Sequence, residues 1–213
     1  MTFTDPDLAP EIPYPFPPLR EPPRRTEPIS IPLVEMPPTD PVRQLFDRRT
    51  VVVSGRLDGA CVSHMCAQLM ALDGSSADAV ELLVNSAGGP LGEIAALLDV
   101  FDLMRADVNS TCIGTAVGTA AVIVACATGT RRAGRNARIS LRLESGDLGQ
   151  GTAEESARPI AEHAAELHRV ATKLASVTGQ PVDDITRELE SGGFHDASSA
   201  QAIGLIDGVV ERL

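Results

Sequence analysis

Proline divides this chain. Thirteen of the sixteen prolines fall within residues 1–41, and only Pro90, Pro159 and Pro181 come later. Proline has no N–H to donate and a fixed φ, so the stretch EIPYPFPPLREPPRR (11–25) can form neither a helix nor a central strand. Residues 1–42 are therefore expected to be a proline-rich arm, either extended and polyproline-like or disordered. Tyr14, Phe16, Ile29, Ile31 and Leu33 give that arm apolar material for docking on a neighbour. Any packed core must be built from residues 43–213, a length that suits one domain.

Within that span the hydrophobic pattern alternates between two periods. TVVVSG (50–55), VELLVNS (80–86) and VNSTCIG (108–114) read as buried strands. Residues 61–72, 91–105 and 117–128 between and after them have helical character. In 91–105, Ile94, Leu97, Leu98 and Phe101 share one face. RISLRL (138–143) sets Ile139, Leu141 and Leu143 against Arg138, Ser140 and Arg142, the alternation of a half-buried strand. A long helix is expected over 153–177, where Ile160, Ala164, Leu167, Ala171 and Leu174 form a stripe, with Pro159 kinking it or delaying its start. After the turn TGQP come an acidic helix, VDDITRELE, and a small C-terminal unit. Strands alternating with helices imply βαβ units and a mainly parallel sheet.

Composition excludes some functions. A net charge of −11 disfavours nucleic acid as a partner, because phosphate binding requires clustered cations. No apolar run reaches the roughly 18 residues of a membrane span, and no secretory leader is visible, so the expectation is a cytoplasmic protein with no membrane partner. Aromatic content is 3%, with no tryptophan, so the core must be assembled from Ala, Val, Leu and Ile. The four cysteines, Cys61, Cys66, Cys112 and Cys126, form no C-x-x-C pair and are expected to be buried free thiols. No histidine has metal-ligand spacing with a second histidine or cysteine, and neither metal nor cofactor is expected.

Five segments in order carry a resemblance: LFDRRTVVVSG (45–55), VNSAGG (84–89), CIGTAVGTAA (112–121), NARISL (136–141), and TGQPVDDI with ASSAQAIGLIDGVV (178–210). Together they resemble ClpP, the proteolytic subunit of Clp protease, a serine peptidase family of the ClpP/crotonase superfamily. The resemblance covers residues 43–213. It implies an α/β, ClpP/crotonase-like fold of repeated βαβ units with a protruding long handle helix.

Carried over position by position, the resemblance puts the nucleophilic serine at Gly118, the histidine base at Arg142 and the aspartate at Gly192, the last anchored by Phe194. Serine catalysis needs an oxygen nucleophile, a base within reach and a group to orient that base. Glycine supplies none of these, and a guanidinium does not accept a proton at neutral pH. All three triad positions are vacant. What the resemblance leaves is a residual oxyanion hole, formed by the N–H groups of Gly89 and Thr119. The alternative reading of these groups is that Gly88 and Gly89 serve a tight turn and Thr119 a helix start. Thr115, Ser140, Ser145, Lys173, His64, His163, His168 and His195 are the other groups considered for catalysis. His163 and His168 are expected at a surface or interface, and Arg142, with Arg131, Arg132, Arg135 and Arg138, is expected to be solvated or at a subunit contact.

The function implied is that of a non-catalytic ClpP-like subunit, similar to the ClpR-type paralogues, which assembles as a homo- or hetero-oligomer with ClpP-type subunits in a heptameric ring and engages a Clp ATPase. In the family the long helix is the handle where two rings meet, and the charged contacts near that junction are replaced here by Ser191, Gly192 and Gly193. Three alternatives remain open: a serine endopeptidase with a displaced nucleophile, a crotonase-like acyl-CoA enzyme using the oxyanion hole alone, and a module in which Arg142 holds a peptide carboxylate.

Overall fold

The computed structural model describes residues 40–143 and 153–212, with the side chains of 153–160 excepted. The expected proline-rich arm therefore lies outside the described residues up to position 39. Its expected boundary at residue 42 falls inside a helix, α1 (Pro41–Asp47), because Pro41 occupies the first turn, where its missing N–H costs nothing, and the Asp40 carboxylate accepts from Val42 N at 3.0 Å.

The expected alternation follows: β1 (Thr50–Arg56), α2 (Gly59–Ser75), β2 (Val80–Gly88), a 3₁₀ turn (Leu91–Ile94) leading into α3 (Ala95–Leu103), β3 (Val108–Val117), α4 (Thr119–Ala125), β4 (Arg131–Gly134) and β5 (Arg138–Ser140). Then come α5 (Ala153–Thr178), α6 (Val182–Ser191), β6 (His195–Asp196), α7 (Ala197–Ala202) and β7 (Gly208–Val210). The strand order is β1-β2-β3-β4-β7, all parallel, with β5 also parallel to β3 and β6 antiparallel to β5.

One irregularity creates the site. In β3, Cys112 is opposite Val84 but Ala116 is opposite Ser86, so β3 carries two extra residues against β2. Gly114 takes a φ of 80° within this bulge, and the side chain of Asn85 fills it by accepting from Thr115 N at 3.2 Å. Below the bulge β3 pairs with β4, and above it with β5. The fork carries Val117 and Gly118 past the main sheet to the end of β5.

Behind the fork, every residue of α4 is buried. A helix hydrophobic all round belongs inside a core, and its small side chains let β2 and β3 approach closely. The expected strand therefore ran three residues further, to Val117, and the expected helix 117–128 shrank to seven residues. The cause is the ladder between Val117 and Ser140, followed at once by a turn at Gly118. The strand expected over 138–143 stops at Ser140, and the backbone N–H of Leu143 donates instead to Leu189 O at 2.8 Å. Ser140, expected on a solvent face, is 3% exposed.

The long helix starts no later than Ala153 and runs unbroken past Pro159 as one 26-residue element. Its stripe is used unevenly. Ala171 and Leu174 are buried, Leu167 is half-buried and Ala164 is exposed, so the C-terminal half of α5 packs on the domain while residues 161–169 stand largely in solvent.

Arg131, expected among solvated arginines, is instead a clamp. Its guanidinium donates to the carbonyls of Ala125, Val177 and Gly204 and pairs with Asp207, tying α4, α5 and the C-terminal unit together. Arg132 pairs with Glu81 and Arg135 with Glu211.

Candidate functional site

The β3–α4 junction holds Gly118 at φ 54° and ψ −120°, a conformation that strains any residue with a side chain. Its N–H donates to Ser140 O at 2.8 Å and its carbonyl accepts from Val122 N at 3.1 Å. A Cβ added at Gly118 would lie 3.2 Å from the carbonyl oxygen of Arg142. The backbone has therefore kept a sharp strand-to-helix turn that aims position 118 at the end of β5.

Arg142 follows β5 and is exposed. Gly192 ends α6, its N–H bonded to Glu188 O at 3.0 Å. Arg142 and Gly192 line one cleft of 320 Å³ together with Val117, Ser140, Leu143 and Phe194. Sequence positions 118, 142 and 192 thus converge, with no side-chain oxygen nucleophile, base or carboxylate at any of the three. A Cβ at Gly192 would collide with the backbone carbonyl of Glu188 and with its carboxylate, so the space an aspartate would need is filled.

The residual oxyanion hole takes a different form from the one expected. Gly89 N donates to Thr119 Oγ1 at 2.8 Å, and the Thr119 hydroxyl lies 3.2 Å from Gly89 O, to which it donates. Thr119 is fully buried. A donor already bonded to a neighbouring hydroxyl is not free for a developing oxyanion, so Gly89 cannot serve as expected while Thr119 holds this rotamer. Gly89 also has a packing role, since a Cβ there would run into the backbone carbonyl of Leu57.

Among the described residues the other groups do not assemble into a catalytic set. His64 and His168 are exposed and His163 is half-buried on α5. Lys173 pairs with Asp102 at 2.5 Å. Thr115 is held in the β3 bulge by Asn85. Ser145 lies outside the described residues. His195 is bonded through Nε2 to Glu188 Oε2 at 3.1 Å, a pair that sequence reasoning missed because its members belong to different elements. His195 is half-buried and opposite Ile139 in the β5–β6 ladder, and its Glu188 partner borders Gly192.

All four thiols are shifted away from the thiolate form. Burial pushes Cys112 up to about 11 and Cys126 up to about 12, and it also raises Cys61 and Cys66. Only Cys112 and Cys126 are buried as expected; Cys61 and Cys66 are half-exposed on α2. Among the described residues no group of three or more His, Cys, Asp or Glu side chains could hold a metal ion, and no helix is long and apolar enough to cross a membrane.

Comparison with known proteins agrees with this architecture. The Clp protease family model matches residues 35–213. ATP-dependent Clp protease proteolytic subunit 1 of Thermobifida fusca is 30% identical over 173 residues, covering 80% of this chain and 78% of that protein. A putative ATP-dependent Clp protease proteolytic subunit-like protein of Streptomyces coelicolor is 34% identical over 181 residues, covering 81% and 83%. The crystal structure of the ClpP protease catalytic domain from Plasmodium falciparum superposes with a TM-score of 0.71 at 23% identity, covering 84% of this chain and 94% of that one, which establishes the shared fold. The chain belongs to the Clp protease family.

Proposed function

We propose that this family member is a non-catalytic subunit, which assembles with ClpP-type subunits into a Clp-type ring and shapes or regulates proteolysis there instead of cutting peptide bonds. One observation supports the reading: Arg142 and Gly192 line one cleft, position 118 next to Arg142 is a glycine, and the Gly89 N–H is bonded to Thr119. Losing a single triad member would leave a weakened hydrolase. Losing nucleophile, base and orienting acid together leaves no path for the proton that acyl transfer must move.

The exposed half of α5 supports an assembly role. A helix of 26 residues is about 39 Å long, and among its described side chains those of residues 161–169 are largely exposed. The matched relatives are named as proteolytic subunits of an ATP-dependent protease, and the corresponding role for this chain is a subunit next to active ones, with a Clp ATPase as the further partner.

Co-expression with a catalytically competent ClpP-type subunit tests this. Recovery of the chain in a mixed ring particle that gives no fluorophosphonate labelling of this subunit is the expected result. Labelling that disappears on substitution of one serine or threonine would establish a displaced nucleophile instead. A chain that stays monomeric beside every such partner would remove the assembly role.

A further inference from the structure

We propose that the vacated cleft is a binding site for a carboxylate borne next to an apolar side chain, gripped by the guanidinium of Arg142. This rests on the reading of the site as non-catalytic. Arginine at position 142 replaces a proton acceptor with a permanent cation whose planar fork matches a carboxylate. The side chain is exposed at the cleft, and its guanidinium has no acceptor among the described residues. Several other arginines of the domain are occupied: Arg131, Arg132, Arg135, Arg105 and Arg187 in ion pairs, and Arg138 over the ring of Phe194 at 4.3 Å.

A second observation points to a ligand. Ser140 lines the same cleft and is 3% exposed. Among the described residues, its hydroxyl only accepts, from Arg142 N at 3.4 Å, which leaves its proton without an acceptor. A buried hydroxyl short of a partner is costly. A carboxylate lying between Ser140 and Arg142 supplies acceptors to both.

The remaining surface selects the ligand's other end. Val117, Leu143 and the half-exposed Phe194 present apolar walls. Glu188, the carboxylate that borders Gly192, is turned to His195. At 320 Å³ the cleft is at the small end of ligand pockets and suits a terminal carboxylate with one apolar side chain. A peptide C terminus and a free apolar acid share this chemistry.

The test uses the full chain and a fluorescein-labelled tetrapeptide ending in leucine, as the free acid and as the C-terminal amide, read by fluorescence anisotropy at physiological salt. The acid should bind about tenfold more tightly than the amide, the effect of one charge-assisted pair. Arg142→Gln should abolish that preference and Arg142→Lys should keep part of it; because the side chain is exposed, both variants are expected to fold, which circular dichroism checks. N-Acetyl-leucine competing at the peptide's own concentration would make a free acid the ligand, and weaker competition would make it a peptide terminus. Equal binding of acid and amide, or an acid preference that survives Arg142→Gln, overturns the proposal. Turnover of the peptide would instead overturn the non-catalytic reading, so the two failures are distinguishable.

Discussion

The hydroxyl of Thr119 lies 2.8 Å from the backbone nitrogen of Gly89, thirty residues earlier in the chain, and accepts its proton in a buried site. The pair joins the end of β2 to the first turn of α4, and it occupies the donor that an acyl-transfer site would keep free. Thr119→Val keeps the volume but leaves a buried N–H without an acceptor, at a cost of about 1–3 kcal/mol. Thr119→Ser retains the bond and should lose much less. Urea unfolding of the two variants side by side checks the difference.

Rebuilding the triad should fail for a steric reason. In Gly118→Ser/Arg142→His/Gly192→Asp, the new aspartate meets the Glu188 backbone, and the serine must adopt a positive φ. Each strain costs on the order of 1–3 kcal/mol. The expected outcome is a destabilised protein with no fluorophosphonate labelling, and Gly192→Asp alone should account for much of the stability loss. Clean labelling with unchanged stability would show that the cleft adapts more readily than its geometry implies.

The Arg131 clamp predicts an acid limb of stability. Hydrogen bonding from Arg131 holds the Asp207 carboxyl below the usual carboxylate range. A group depressed on folding contributes stability that is fully present above its unfolded value and is lost as pH falls through the folded one. The loss therefore begins below about pH 4. Asp207→Asn should flatten that limb in a series of thermal melts, with its largest effect at neutral pH and little at pH 2. Arg131→Met should be worse than Asp207→Asn, because it also abandons three main-chain carbonyls.

Thiol reactivity follows burial. Under native conditions Cys61 and Cys66 should react with a maleimide, slowly and faster as pH rises. Cys112 and Cys126, raised to about 11 and about 12, should react only after denaturation. Mass spectrometry of labelled peptides reads this directly, and native labelling at Cys126 would show that α4 opens.

Much of the frame was legible in the chain's own pattern. Strands such as Thr50–Arg56 announce themselves by an unbroken apolar run, Val51 to Val53, and the helix after Gly89 by a 3.6-residue period, because both signals are local. The boundaries around the site were not. Val117 reads as the start of a helix until its ladder with Ser140 is known, and Ser140 reads as solvent-facing until the β3 bulge redirects the strand that covers it. The Glu188–His195 pair and the Arg131 clamp were equally hidden, since each joins residues from separate elements.

The absence of a nucleophile at 118 and of a base at 142 was determined by sequence alone, because no packing gives glycine an oxygen or makes a guanidinium a proton acceptor. The tertiary structure decided what surrounds these positions: Arg142 and Gly192 line one cleft, the Gly118 turn is aimed at Arg142, and Thr119 takes the Gly89 donor. Hydrogen-bond partners and exposure depend on which distant segments packing brings within about 3 Å, and no local pattern of residues encodes that.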